Sequence, residues 1–199
     1  PFGMDESCQN CPELVESRTQ VVHGYGDVSA EFAFVGGHPD SGADEIGIPF
    51  MGAGRETILE ILRATGFTDS SLETTEPELD NAVLTYAARC HHPDREPTEA
   101  EYSACELYLT SELRMINPEI IVGVGQHALE ALAWEYTTRD AEEFDVGHEH
   151  ATTVRGRGFE IVPMIEPAAQ TDEQTDELIE HMLEILGRDY RQTKGRRGR

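Results

Sequence analysis

A polar, glycine-rich loop that follows a short apolar run is the feature that most constrains the fold of this chain. The apolar run Phe32–Val35 ends in GGHP at positions 36–39, and the following loop closes with GIPFMG at positions 47–52. A helical pattern of apolar residues then begins near Arg55. A buried strand, a glycine turn, a long loop and a helix, in this order, are typical of a ligand pocket at the strand ends of an open α/β sheet.

Phe50, between Pro49 and the glycines of this loop, is unusually apolar for a loop residue. Glycines allow a backbone to approach a ligand closely, and prolines restrict the loop that carries them. The Phe50 ring therefore either stacks on a flat ligand or pins the loop to the core. The local sequence is compatible with both interpretations.

Strand and helix patterns alternate along the chain. We predict strands at 31–36, 82–88 and 120–125, a hairpin of 152–155 with 159–165, and helices at 55–65, 97–116, 126–136 and 176–186. The run at 120–125 is almost wholly apolar, as expected for a strand buried on both faces of a parallel sheet. The prediction is a three-layer α/β/α sandwich around a central, mostly parallel four-stranded sheet. Residues 1–187 are expected to form a single domain, followed by a tail at 188–199.

The charge of the chain is strongly unbalanced, with 39 acidic residues against 15 basic ones and a net charge of −24. Such self-repulsion destabilises a compact state at ordinary salt. It is tolerable in molar salt, where the Debye length is about 3 Å. We therefore predict a salt-adapted, halophilic protein. A calcium-buffering or membrane role is the competing interpretation, but no loop has the residue spacing of an EF-hand.

The stretch PFGMDESCQNC has neither the basic nor the apolar segment of a signal peptide. No apolar run approaches the length of a membrane span. We expect a cytoplasmic protein with no membrane partner. The tail at 188–199 is basic, with six bases and one acid, and is either a solvated end or an arm that contacts nucleic acid.

The chain has four cysteines, a C-x-x-C pair at Cys8 and Cys11 and two more at Cys90 and Cys105. Four thiols in a cytoplasmic protein favour a metal site over disulfides. A zinc ribbon would show a second closely spaced pair, which is missing here. A [4Fe–4S] cluster takes thiolates from scattered positions more readily. Unligated cysteines remain the alternative.

Several motifs, taken in order, give the chain a family resemblance. They are CQNC at 8–11, VGGHP at 35–39, GIPFMG at 47–52, CHHPDREPT at 90–98 with Cys105 after it, and PEIIVGVGQHA at 118–128. Together they resemble the iron–sulfur uracil-DNA glycosylases of the thermophile type, similar to families 4 and 5. The resemblance implies a uracil-DNA glycosylase-like fold, and a [4Fe–4S] cluster held by Cys8, Cys11, Cys90 and Cys105.

The departures from the family pattern fall on residues that carry chemistry. Gly37 stands where the family has an acidic residue, and Tyr86 where it has the asparagine that hydrogen-bonds uracil. Glu166, before Pro167, takes the place of the histidine of a C-terminal His-Pro motif. Phe50, the base-stacking aromatic residue, is retained.

The resemblance and the local chemistry together suggest roles for individual residues. We expect Glu166 to stabilise charge on the sugar or act as a base, Asp40 to orient water, and His38 to donate to a base anion. Backbone N–H groups near Gly36 and Gly37 are expected to hold a base carbonyl, next to Phe50 and Tyr86. Each acidic residue has solvated surface as its alternative role.

Two arginines flank the third cysteine, Arg89 and Arg95. They are candidates for phosphate contacts, with surface ion pairing as the alternative. Because counterion release contributes little at molar salt, an acidic surface is weak evidence against DNA binding there.

The predicted function is that of a DNA-repair glycosylase that removes uracil, or another deaminated or damaged base, by hydrolysis of the N-glycosidic bond. Its partner would be DNA, bound through a flipped or single-stranded base. Two other classes remain open: a non-catalytic binder of damaged or single-stranded DNA, and an enzyme that acts on a small nucleotide. Fold alone does not separate them.

Overall fold

Strands and helices alternate along the chain, as the apolar patterns predict. The structure, a computed structural model, describes residues 5–192, apart from the side chains of residues 134 and 192. Its strands are β1 (Tyr25–Gly26), β2 (Phe32–Gly36), β3 (Ala82–Tyr86), β4 (Ile120–Val124), β5 (Val154–Arg155) and β6 (Glu160–Met164). Its α-helices are α1 (Pro12–Ser17), α2 (Ser41–Ile46), α3 (Arg55–Ala64), α4 (Glu99–Ile116), α5 (Gln126–Tyr136), α6 (Val146–Glu149) and α7 (Asp172–Leu186).

The strands form one sheet in the order β1-β3-β2-β4-β6-β5. The four inner strands are parallel, and β1 and β5 pair antiparallel at the two edges. The prediction of four strands was wrong, because the sheet has six. The four parallel strands were predicted, and β5 lies within the hairpin predicted at 152–155 with 159–165. The edge strand β1 was missed, because two residues are too short to show a periodic pattern.

Helices cover both faces of the sheet, so that successive residues of a strand enter different cores. Phe32 and Phe34 of β2 face one core, which is completed mainly by α3 and α7. Ala33 and Val35 face the other, completed mainly by α4 and α5. All five residues of β2 are buried. The three-layer arrangement follows from strands that are apolar on both faces.

Side-chain caps fix where the long helices begin. Thr98 accepts a hydrogen bond from the Glu101 N–H, and the Glu101 side chain returns to the Thr98 N–H. Thr171 and Gln174 form the same reciprocal cap at α7, which therefore begins four residues before the predicted position. Such caps satisfy backbone donors that a helix start leaves free. Asn117, with a φ of 56°, ends α4.

Four further elements differ from the prediction. Helix α2 lies in the polar loop that precedes Arg55, and α1 and α6 lie in segments for which no helix was predicted. The strand predicted at 82–88 ends at Tyr86. Within residues 5–192, no helix has both the length and the apolar character needed to cross a bilayer.

Candidate functional site

The parallel strands end level with one another and open into a pocket. Gly36 of β2 pairs in register with Tyr86 of β3 on one side and Val124 of β4 on the other. The cavity beyond these ends has a volume of about 200 Å³, below the usual range for drug-sized ligands and suited to a smaller group. It is lined by Gly36, Gly37, His38, Asp40, Phe50, Ala53, Tyr86, Glu96, Val124, Glu166, Pro167 and Ala168.

Phe50 and Tyr86 form an aromatic pair in this pocket. Their ring centroids lie 4.9 Å apart with the planes inclined by 45°. The Phe50 N–H donates to the Tyr86 hydroxyl oxygen over 2.8 Å, and Phe50 has a φ of 64°. A left-handed backbone costs a non-glycine residue free energy of order 1 kcal/mol or more. The Tyr86 hydrogen bond therefore helps to hold Phe50 in the conformation that places its ring in the pocket wall.

Gly36 allows the backbone to pass directly beneath the two rings. A Cβ atom at this position would lie 2.7 Å from carbon atoms of the Tyr86 ring and 2.8 Å from a carbon atom of the Phe50 ring. Such a contact forces neighbouring atoms to move. Glycine at position 36 therefore allows the backbone itself to form the floor of the pocket, as the sequence predicted.

Three carboxylates line the pocket, and two of them have partners. Asp40 caps α2 by accepting from the Ala43 N–H at 2.8 Å and also accepts from the Ala53 N–H at 2.5 Å. Glu96 accepts from His127 at 2.9 Å. For the Glu166 carboxylate no hydrogen-bond partner is found among the described residues. Glu166 is therefore the pocket carboxylate left available to a ligand.

Glu166 lies at the mouth of the pocket, where the residue is exposed but its carboxyl group packs against the backbone of Gly125. Its pKa is raised by the desolvation of its carboxyl group, and the neighbouring Glu96 and Asp40 charges act in the same direction, while His127 opposes them. The carboxyl group therefore holds its proton more strongly than an ordinary glutamate does.

His38 and two residues outside the predicted site form a cluster at the pocket rim. The His38 Nδ1 atom lies 2.8 Å from the Tyr102 hydroxyl. The His127 ring lies 6.2 Å from His38 and 5.6 Å from Tyr102, between centroids. Burial lowers the pKa of His38, so its imidazole is neutral near neutral pH.

His127 links two elements across the rim of the pocket. Its Nε2 atom pairs with Glu96 and its Nδ1 atom lies 3.4 Å from Glu130. Partial burial acts to lower its pKa, but these two carboxylates outweigh burial and raise it. Glu96 and His127 lie within the motifs at 90–98 and 118–128 and were not predicted as site residues. The usable signal for His127 was its position at the start of the helix that follows β4.

Arg89 lies in the core and not on the pocket surface. Its guanidinium group pairs with Glu112 at 2.8 and 2.6 Å, with side-chain exposures of 1% and 0%. Arg95 pairs with Glu13 and Glu101 at 2.6 and 2.7 Å. The alternative of surface ion pairing therefore describes Arg95 but not Arg89, whose ion pair lies in the core. The Arg89 guanidinium is not accessible to a phosphate in this structure.

The four cysteines come together on the side of α4 that faces α1. All four are buried and none forms a disulfide. Cys8, Cys11 and Cys90 pack in one cluster with Leu14 and Val21. Cys105 lies near enough to Cys11 and Cys90 for their charged forms to repel.

Arg18 is the cationic partner of this thiol group. Its Nη1 atom donates to the Cys90 sulfur over 3.2 Å and its Nη2 atom to the Cys8 carbonyl oxygen over 2.5 Å. Burial raises the pKa of the Cys11, Cys90 and Cys105 thiols. Thiolates at this site would therefore need positive charge beside them.

Within residues 5–192, no group of three or more His, Cys, Asp or Glu side chains is placed to hold a metal ion. A single ion requires its ligands within about 2.3 Å of one point. A [4Fe–4S] cluster takes one thiolate at each of four irons, so its ligands surround a larger body. The four buried cysteines, none of them in a disulfide, match the type and number of ligands that such a cluster takes.

The predicted basic tail begins packed against the domain. Arg188 pairs with Glu160, Arg191 pairs with Glu31 at 2.5 Å, and the Tyr190 hydroxyl donates to Glu31 at 2.6 Å. The remaining tail residues, 193–199, lie outside the described residues. The prediction that the tail is an arm for nucleic acid thus concerns a segment that is not described here.

The parallel strands, and the pocket at their ends with its tilted aromatic pair and its Glu166 carboxylate, define an α/β protein with a strand-end pocket. The chain belongs to the Uracil DNA glycosylase superfamily, whose sequence model matches residues 23–187. This membership confirms the resemblance that the motifs indicated.

Two similar proteins are named Type-4 uracil-DNA glycosylase. The protein of Sulfurisphaera tokodaii is 31% identical over 154 residues, 77% of this chain and 62% of that relative. The protein of Thermotoga maritima is 28% identical over 188 residues, 91% of this chain and 86% of that relative. A Type-5 uracil-DNA glycosylase of Pyrobaculum aerophilum is 23% identical, over 92% of this chain and 87% of that relative.

Proposed function

We propose that this protein is a DNA-repair glycosylase that hydrolyses the N-glycosidic bond of uracil, or of another deaminated base, in DNA. The observation that carries the proposal is the pocket itself, with buried aromatic rings at its base and the unpaired Glu166 carboxylate at its mouth. The names of the similar proteins support uracil in DNA as the first substrate to test.

The pocket geometry suggests how a flipped nucleotide would lie. The base would enter against the Phe50 ring, because aromatic stacking on a base contributes about 1–3 kcal/mol and does not depend on salt in the way that phosphate contacts do. The sugar would remain at the mouth, attached to the DNA strand. With the sugar at the mouth, the glycosidic bond would lie next to Glu166 and farther from the residues deeper in the pocket.

Glu166 would act on the sugar side of the reaction. As the bond to the base breaks, positive charge develops on the sugar, and a nearby carboxylate stabilises this charge or orients the attacking water. The proton that Glu166 holds more strongly than usual must leave before the group can act in this way. The reaction then ends with water added to the sugar and the base released.

His38 and Asp40 would take different roles. Because the His38 imidazole is neutral and hydrogen-bonded to Tyr102, it would donate an N–H to the departing base anion without carrying a full charge. Asp40 already accepts from two backbone N–H groups. It would therefore stabilise the wall that carries Ala53 and leave the orientation of water to Glu166.

We also propose that Cys8, Cys11, Cys90 and Cys105 hold a [4Fe–4S] cluster. The support is their shared burial, the absence of a disulfide among them, and the Arg18 contact to the Cys90 sulfur. A bound cluster would supply a covalent cross-link between the segment before α1, the loop after β3 and α4. Because this loop runs on to Glu96 at the pocket, the cross-link would also support the pocket rim.

The test is base release from a uracil-containing single-stranded oligonucleotide in molar salt. The wild type is expected to release uracil, and Glu166→Gln is expected to lose about a hundredfold or more in single-turnover rate with little change in affinity. Glu177→Gln, an equal loss of charge on the exposed face of α7, is the matched control and should retain the wild-type rate.

One result would contradict the role of Glu166, and another would contradict the glycosylase activity itself. Equal rates for the two glutamine variants would remove Glu166 from the reaction. Tight binding by the wild type without release of any base would favour the non-catalytic binder on the same scaffold.

A further inference from the structure

Glu166 follows β6 by two residues, where the sheet holds the chain on one side only. On the inner side, the Gly125 N–H donates to the Met164 carbonyl oxygen over 2.8 Å. On the outer side, β5 pairs with only the first two residues of β6, so the described sheet offers no strand partner to Pro163 or Ile165. The position of Glu166 therefore depends on what holds the chain along this outer edge.

The turn after α6 closes the outer edge with one backbone and one side-chain hydrogen bond. The Ala151 N–H donates to the Pro163 carbonyl oxygen over 3.0 Å, and the Ile165 N–H donates to the His150 Nδ1 atom over 3.1 Å. Ala151 has a φ of 55°, a conformation that persists in residues other than glycine only where the surroundings fix it. The contacts with the end of β6 thus fix the turn, and with it the place of the His150 ring.

Both ring nitrogens of His150 are engaged, and their partners determine which one carries the proton. The Ile165 N–H can only donate, so Nδ1 is the acceptor. The Gln174 carbonyl oxygen, 2.8 Å from Nε2, can only accept, so Nε2 carries the hydrogen. A neutral imidazole therefore joins the residue before Glu166 to helix α7.

Ile165 is held at its carbonyl group as well. The Gln170 Nε2 atom donates to the Ile165 carbonyl oxygen over 2.6 Å, and the Gln170 Oε1 atom accepts from the Thr175 hydroxyl over 3.0 Å. Side chains thus bind both backbone polar groups of the residue that precedes Glu166. Through Gln174 and Thr175, both of these contacts are anchored on α7.

We propose that His150 is a positioning residue for Glu166 and, through Ile165, holds its carboxylate at the mouth of the pocket beside the turn between β4 and α5. The carboxylate packs closely on this turn, because a Cβ atom at Gly125 would lie 2.6 Å from the Glu166 Oε1 atom. His150 itself lies outside the pocket lining. A displacement of about 1 Å at a reacting group can cost about a hundredfold in rate. This inference rests on the proposed function, which gives Glu166 its role in the reaction.

Substitutions at position 150 test the two ring nitrogens separately. His150→Asn places a carbonyl oxygen near the Nδ1 position and keeps an acceptor for the Ile165 N–H. His150→Gln places an amide near the Nε2 position and keeps only the donor to Gln174. His150→Ala removes both functions. His148→Ala, two residues earlier and with a side chain that is 88% exposed, is the matched control.

The first measurement is single-turnover release of uracil in molar salt, together with affinity for the same oligonucleotide. His150→Ala and His150→Gln are expected to lose about tenfold or more in rate, with affinity within about threefold of the wild type. His150→Asn should retain a rate within about threefold of the wild type, because it keeps the acceptor. His148→Ala should match the wild type in both quantities.

The second measurement is the pKa of the Glu166 carboxyl group, which requires no turnover. Desolvation raises this pKa, the charges of Glu96 and Asp40 act in the same direction, and His127 opposes them. Carbon-13 NMR of the side-chain carboxyl groups follows it, with the signal identified by its absence in Glu166→Gln. A carboxyl group freed from its anchor reaches water more fully, so its pKa should fall in His150→Ala and His150→Gln but not in His150→Asn.

A wild-type rate and an unchanged Glu166 pKa in folded His150→Ala would overturn the inference. Equal effects of His150→Asn and His150→Gln on both quantities would also overturn it, and this comparison carries the test if His150→Ala does not fold. A wild type that releases no base would reject the proposed function, and the carboxyl pKa would then decide the role of His150 by itself.

Discussion

Glu112 holds both terminal nitrogens of Arg89, at 2.8 and 2.6 Å, with neither side chain reaching solvent. The same carboxylate accepts from the Thr85 hydroxyl at 2.5 Å and from the Gly24 N–H at 2.9 Å. Although burial opposes its charge, Arg89 and these donors hold the pKa of Glu112 below its ordinary value. Glu112 of α4 is thus bound to β3 through Thr85 and to Arg89, the residue that precedes Cys90.

Removing one partner of this pair is expected to destabilise the protein strongly. Glu112→Leu leaves the Arg89 charge buried without compensation, and we expect a loss of about 3–5 kcal/mol in the free energy of unfolding. The double variant Arg89→Met/Glu112→Leu should recover most of this loss, because no buried charge remains. Urea unfolding at fixed salt measures both. A single variant as stable as the wild type would show that the pair is not needed for stability.

The proposed role of Glu166 implies a pH dependence of base release. Because desolvation raises its pKa, the carboxylate form should appear only above the ordinary glutamate range. Single-turnover rates are therefore expected to rise with pH through the raised pKa and then level off, in a series from about pH 4 to pH 8. The residual rate of Glu166→Gln should lack this rise. An identical profile in that variant would assign the dependence to another group.

The His127 pair predicts an opposite dependence, this time for stability. The pKa of His127 is raised in the folded state, so its pairing with Glu96 stabilises the fold fully below the ordinary histidine pKa. That stabilisation is lost as pH rises through the raised pKa. Because the site is partly exposed, we expect His127→Gln to lower the melting temperature by only about 1–3 °C, and only on the acidic side. A deficit that is the same at high pH would contradict this.

The cysteine site predicts iron. Protein purified without oxygen should contain about four irons per chain and absorb broadly in the visible range. Cys105→Ser should lose most of the iron and unfold at a lower temperature. Ser103→Ala, at an exposed position two residues earlier on α4, is the control that should retain the iron. Stoichiometric zinc with no iron in the wild type would reject the cluster.

The net charge of −24 predicts dependence on salt. As salt falls from molar to millimolar concentration, self-repulsion is unscreened and the melting temperature should drop. Potassium chloride and sodium chloride should act alike at equal ionic strength, since the effect is screening. A melting temperature that stays constant across the series would remove the case for salt adaptation.

The sequence predicted the parts of the fold that depend on local patterns. The four parallel strands and the helices after Arg55, Pro97 and Gln126 follow from apolar runs with clear stops. The elements that were missed, such as β1 and α2, are short and are held by tertiary pairing or a single cap, as Asp40 caps α2. These contacts form between distant residues and leave no periodic pattern.

The sequence predicted which residues belong to the candidate site better than it predicted which residues contact one another. The pocket does bring Gly36, Phe50 and Glu166 together, because residues at neighbouring strand ends must meet. Sequence could not show that Arg89 would turn inward to Glu112, since an arginine beside a cysteine has the same pattern at the surface and in the core. Nor could it show that the Tyr86 hydroxyl meets the backbone of Phe50, 36 residues away in sequence.

Both edges of the sheet end in strands of two residues, β1 and β5. A longer strand there would present a row of unpaired N–H and C=O groups to a neighbouring chain. Salt that screens the acidic surface also removes the repulsion that keeps molecules of this protein apart in dilute buffer. The short edges leave little length for another copy to extend the sheet. They give the protein a barrier to aggregation that depends on geometry and persists when charge no longer separates the molecules.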